Sequence, residues 1–164
     1  MTATIHSTDV PASGVALLDA AGLRPGARVL DVGCARGDTT LLAARRVGPS
    51  GLVLGVDTSL TMLENARSRA VAAGLRNVGF LHGDAQTQQF AALRFDVIVS
   101  SRGLDVFSDA DAGVTNLTRA LRGGGRVVLA VRDDPTRACA ALDRAGLVDA
   151  VVAATGVVTA NARG

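Results

Sequence analysis

The chain has no tryptophan, no tyrosine and no lysine, and only four phenylalanines in 164 residues. With so few rings there is little for nucleic-acid bases to stack on. Its 17 cationic side chains are all arginines, scattered rather than gathered into a run, and a net charge of +2 leaves no electrostatic footprint for a polyanion. No nucleic-acid partner is expected. The two cysteines, Cys34 and Cys139, match neither a metal spacing nor a disulfide framework, so both read as reduced thiols filling small spaces, with no metal site. Apolar stretches are broken by Gly, Asp or Arg well short of membrane-spanning length, and the first six residues carry neither a basic head nor an apolar signal core. The expected compartment is the cytoplasm, with no membrane partner.

What is present is apolar side chain: 48% of the residues, enough for one domain with a real core. Residues 1–13 read as a mobile N-terminal arm and residues 14–164 as the folded domain. A first helix, begun near Pro11 and carrying Val15, Leu17 and Leu18, stops at Gly22 and Pro25-Gly26. The chain is organised around the stretch from Val29 to Thr40. There an apolar run ends in Asp31, passes through Gly33, Cys34, Ala35 and Gly37, and opens into the helical Leu41-Leu42-Ala43-Ala44. A strand, a tight turn and a helix start would bring a ligand against backbone N–H groups, with small residues keeping side chains out of its way.

The spacing separates two classes of ligand. A dinucleotide fingerprint begun at Gly33 would need a third glycine where this chain has Asp38. Two carboxylates, Asp31 and Asp38, would repel a pyrophosphate and suit a ligand carrying positive charge. A nicotinamide-dependent reductase is disfavoured on the same grounds.

Further strand ends add acids. Leu52 to Asp57 is a second buried strand, and Asp57 ends it about where an acid in a nucleotide-binding unit reaches the ribose hydroxyls; the competing reading is a helix-capping aspartate before Thr58-Ser59. Thr61 and Glu64 are spaced as a capping box for the next helix. Asn77 to His82 is a third strand, followed by Gly83, Asp84 and Ala85. Asp84 then points into the same crevice as Asp31 and Asp57, or else makes a turn with its own backbone. Phe95 to Ser101 is a fourth strand, and Ala110 to Leu121 a helix. Gly123-Gly124-Gly125 reads as a turn before a fifth strand, Arg126 to Val131. A helix from Pro135 to Gly146 precedes two apolar strands, Val148 to Ala153 and Val157 to Ala160, joined tightly enough to make the last one antiparallel.

From Asp31 to Gly37 the residues resemble the first motif of the class I S-adenosylmethionine-dependent methyltransferases, acid-x-G-x-G-x-G after an apolar strand, with Ala35 at the usual middle glycine. Gly55 to Leu63 resembles the second motif, and Ser101 to Phe107 the substrate-facing fourth. The likeness runs through nearly the whole chain from Gly26 and is nearest to the quinone-biosynthesis methyltransferases, in a compact form without a substrate-lid insertion. It implies an α/β fold: a single Rossmann-like three-layer αβα sandwich, with a mostly parallel seven-stranded sheet and an antiparallel last strand.

The resemblance also implies S-adenosylmethionine as cofactor and S-adenosylhomocysteine as product. Cofactor contacts fall at Asp31, Gly33, Cys34, Ala35, Gly37, Asp57, Thr58, Met62, Gly83, Asp84, Ala85 and Ser100. Among these, Met62 packs on adenine or is plain core, Asp84 accepts from the exocyclic amine, and the Ala85 N–H reaches a ring nitrogen; Gln86 is a further contact. Methyl transfer is then chiefly a matter of proximity and orientation. Arg102 to hold an anionic group and Asp105 to accept a proton are the candidate catalytic pair, placed better than His82. The acceptor expected is a small molecule, and the missing lid leaves its site shallow, covered by the arm, or completed in a homodimer. The alternative is a cofactor-binding protein of this fold that does not methylate.

Overall fold

The computed structural model describes residues 14–90, 94–132, 134–153 and 155–164. The expected N-terminal arm, 1–13, lies outside them, as does Pro11.

The apolar runs become strands whose neighbours along the chain point to opposite faces. β1 (Arg28–Val32), β2 (Leu52–Asp57), β3 (Val78–His82), β4 (Phe95–Ser100), β5 (Leu121–Ala130), β6 (Val148–Ala153) and β7 (Val157–Asn161) form one sheet in the order β3-β2-β1-β4-β5-β7-β6. The pairings from β3 through β5 are parallel, and β7 runs antiparallel to both β5 and β6. Among the described residues five α-helices pack with the sheet: α1 (Gly14–Ala21), α2 (Asp38–Val47), α3 (Leu60–Ala72), α4 (Ala110–Ala120) and α5 (Pro135–Arg144). Val29, Val97, Val99 and Val128 share one buried cluster with Leu17 and Leu18 of α1 and Ala43, Ala44 and Val47 of α2. Leu30, Ile98, Val127 and Leu129 face the other way, onto Val114 and Leu117 of α4 and Ala138 and Leu142 of α5. Strand alternation thus sorts the apolar residues into two cores with the sheet between them. This is the three-layer αβα arrangement expected from the sequence, antiparallel last strand included.

Local readings needed correction in three places. Thr61 and Glu64 do not form the cap of α3: Ser59 does, its hydroxyl accepting from the Met62 N–H, because the chain turns into helix two residues earlier. Gly123 to Gly125 does not precede β5 as a turn but bulges within it. Leu121 already pairs with Phe95, and the next registered pair is Arg126 with Val97, so the glycines loop out opposite Asp96. In α1, Leu17 and Leu18 are buried as expected while Val15 is exposed.

Parallel order leaves the carboxyl ends of β1 to β4 side by side, the usual place for a ligand in such sheets. Ser100 reinforces that edge: its hydroxyl donates to the Val32 carbonyl at 2.9 Å, joining the last residues of β4 and β1.

Candidate functional site

The turn after β1 explains its spacing of small residues. Gly33, Ala35 and Gly37 have φ of +70°, +47° and +80°, so every second residue takes the left-handed conformation that bulky side chains resist. Four N–H groups of this turn are spent within the protein. Those of Gly33 and Cys34 donate to the Val56 carbonyl, that of Gly37 to the Cys34 carbonyl, and that of Ala35 to Asp57 Oδ2 at 2.9 Å. These bonds close the turn and brace it against the end of β2.

Asp57 is nearly buried, and its other oxygen accepts from the Ser59 N–H at 2.8 Å. Each oxygen therefore keeps lone-pair capacity for one more donor. Asp84, at the end of β3, is exposed; Oδ1 accepts from the Gln86 N–H at 2.8 Å, the turn read as its alternative role, while Oδ2 makes no protein hydrogen bond among the described residues. The Ala85 N–H is likewise unspent there.

Asp31 behaves differently from the other two acids. It is 0% exposed, Oδ2 accepts from the Thr40 hydroxyl at 2.6 Å, and Oδ1 has no partner. Burial pushes its pKa from 3.8 up to about 7, nearby Asp57 adds to the rise, and the Thr40 bond opposes it. Burial also pushes the Cys34 thiol up, with Asp31 and Asp57 adding, so it stays protonated and inert.

A hollow of about 110 Å³ opens between these strand tips. Of the residues singled out in the sequence, Gly33, Asp57, Thr58, Gly83, Asp84, Ala85, Arg102 and Asp105 line it. Asp31, Cys34, Ala35, Gly37, Met62 and Ser100 do not. Cys34 fills the space over Gly55, Gly37 packs on Ala66 and Phe80, and Met62 is 41% exposed on α3, outside the core. Gln86 turns away: Oε1 accepts from the Ser108 hydroxyl and the Asp109 N–H at the start of α4. His82 is exposed, with Nε2 3.0 Å from the Thr58 carbonyl.

Val106, marked in the sequence only as part of the Ser101 to Phe107 stretch, also lines the hollow. It belongs to a single 3-10 turn, Gly103–Val106, that follows β4 and folds back over the β1 turn. A Cβ built on Gly33 would lie 2.5 Å from Val106 Cγ1. Typical small-molecule sites exceed roughly 300 Å³. Val106 resting on Gly33 is one reason this hollow is smaller.

A family model described as a methyltransferase domain matches residues 23–146. The chain belongs to the class I S-adenosylmethionine-dependent methyltransferases. It is 40% identical over 113 residues to a nocamycin O-methyltransferase of Saccharothrix syringae, an alignment that takes in 69% of this chain and 40% of that protein. It is 36% identical over 115 residues to a demethylmenaquinone methyltransferase of Staphylococcus aureus, covering 70% of this chain and 47% of the relative. The match to the latter bears out the quinone-biosynthesis resemblance. The chain thus spans about half the length, or less, of these curated relatives. In fold it superposes on a SAM-dependent methyltransferase from Aquifex aeolicus with a TM-score of 0.75, at 20% identity and over 91% of this chain and 88% of that one.

The family's cofactor is S-adenosylmethionine, and the donors and acceptors of the hollow suit it. Carboxylates at the β2 and β3 tips, an unspent N–H at Ala85 and glycines at 33 and 83 provide what a nucleoside needs. Among the described residues there is no cluster of groups able to hold a metal ion, and no helix is long and apolar enough to cross a membrane.

Proposed function

We propose that this domain binds S-adenosylmethionine in the hollow at the tips of β1 to β4 and methylates a small-molecule acceptor. The observation that carries the reading is the convergence of Asp57, Asp84 and the Ala85 N–H on one hollow at the carboxyl ends of adjacent parallel strands. Asp57 holds the ribose hydroxyls with the lone pairs that Ala35 and Ser59 leave free. Asp84 Oδ2 accepts from the adenine amine, and the Ala85 N–H donates to the ring. When bound, the sulfonium supplies an activated methyl carbon for in-line displacement.

The protein's own part is positioning and exclusion of water. The Gly103–Val106 turn places Asp105 at the rim, where it takes the proton of an acceptor hydroxyl, and Arg102 beside it, where it orients an anionic group. Two free cysteines, one of them buried, support a reducing compartment such as the cytoplasm. A homodimer would complete the shallow acceptor side.

Calorimetric titration with S-adenosylhomocysteine and with NADH tests the cofactor assignment. The homocysteine compound should bind and NADH should not; binding of the nicotinamide alone would overturn the reading. Formation of S-adenosylhomocysteine across a panel of phenols and acids then tests the transfer.

A further inference from the structure

A second hollow, of about 70 Å³, lies one strand further along the same edge of the sheet and shares Asp105 with the first. Its floor is apolar: Leu104 from the 3-10 turn, Ala130 and Val131 at the end of β5, and Ala138 from α5. Its rim is charged, with Arg132 and Arg137 joining Asp105 and Asp134. We propose that this hollow is the subsite that receives a carboxylate group of the methyl acceptor, gripped by Arg132 and Arg137. The inference rests on the methyltransferase reading and narrows its acceptor to an acid.

Three observations support it. First, the two rim acids are not equivalent. Asp134 caps α5, Oδ1 accepting from the Thr136 N–H at 2.8 Å, and that bond, with Arg137 nearby, holds its carboxyl below the ordinary range. Its charge is committed to the helix start. Second, neither Arg132 nor Arg137 makes an ion pair or a side-chain hydrogen bond among the described residues, whereas Arg46, Arg69, Arg122 and Arg144 each hold an aspartate. Two planar guanidinium groups with unspent donors match the two oxygens of a carboxylate. Third, the size is right for a head group. At about 70 Å³ it is smaller than the first hollow, at about 110 Å³. It takes the carboxyl end of the acceptor, leaving the body to extend along the rim toward Asp105 and the first hollow.

The test uses the full chain and a fluorescent probe pair, 3-hydroxy-2-naphthoate against 2-naphthol. The absence of tryptophan and tyrosine keeps the protein's own emission out of the way. With S-adenosylhomocysteine present, the naphthoate should bind at least tenfold more tightly than the naphthol. The double variant Arg132→Gln, Arg137→Gln should bring the two affinities within about twofold of each other. S-adenosylhomocysteine affinity, read separately by calorimetry, should not change, because neither arginine lines the first hollow. A wild-type chain without the preference, or a double variant that keeps it, overturns the inference and leaves both arginines as solvated surface. The two readings fail separately: no binding of S-adenosylhomocysteine in the calorimeter counts against the cofactor, whereas its binding without a naphthoate preference counts against the subsite alone.

Discussion

The Ala35 N–H donates to Asp57 Oδ2 at 2.9 Å, while the other oxygen of the same carboxylate takes the Ser59 N–H at 2.8 Å. One side chain thus pins the turn after β1, starts the approach to α3, and faces the hollow. Asp57 does not cap α3, since Ser59 does, but its bracing bonds are compatible with a bound ligand, because a carboxylate has more acceptor sites than these two bonds use.

Replacing Asp57 with Ala should therefore show twice. S-adenosylhomocysteine binding should weaken by about 1–3 kcal/mol, and the melting temperature should fall, since two backbone donors lose their acceptor. Calorimetry and thermal unfolding on the same sample read both effects. Unchanged affinity would refute the ribose role.

Ala35 stands with φ of +47° where the family's motif has a glycine. A Cβ in that region costs on the order of 1 kcal/mol. Ala35→Gly should accordingly raise stability to denaturant by up to about 1 kcal/mol. A lowered urea midpoint would show that the backbone carries no such strain.

Gly33→Ala meets two obstacles, a φ of +70° and the Val106 Cγ1 atom. The second is a side chain and can be removed. Val106→Ala should rescue part of the Gly33→Ala destabilisation, leaving a residue of about 1 kcal/mol from the backbone. Val106→Ala alone should enlarge the hollow and speed S-adenosylhomocysteine association in stopped-flow traces. Strict additivity of the two substitutions would mean that Val106 does not rest on Gly33 in solution.

Asp31 sets a pH dependence. Its folded pKa of about 7 lies above the ordinary 3.8, so between those values the folded chain holds a proton that the unfolded chain has released. Stability from this group is therefore intact below about pH 4, is lost as pH rises from there to the folded value of about 7, by on the order of a few kcal/mol, and changes little above it. Asp31→Asn removes the titration. The stability of the Asn variant relative to wild type should improve from about pH 4 to about pH 7 in urea melts and then level off; a difference that does not vary with pH would sink the assignment.

The order of strands and helices, the antiparallel end of the sheet and the acids at three strand ends could all be read from the chain, since each is written in local periodicity or at a fixed offset from a turn. The alternate small residues of the β1 turn were legible for the same reason, being a direct record of positive φ at Gly33, Ala35 and Gly37. Where the glycines of β5 would bulge was not, because it depends on Leu121 finding Phe95 in another strand.

Sequence alone determined the succession of strands and helices, because it follows from which residue types recur at which spacing, and its resemblance to the family's motifs named the cofactor. Only tertiary packing decided that Asp31 lies sealed beneath the turn while Asp57 and Asp84 face the hollow, and that Val106 covers Gly33. It also brought Arg132 and Arg137 to the same rim as Asp105. Burial and proximity between segments far apart in the chain are properties of how the elements stack against one another, and no local pattern records them.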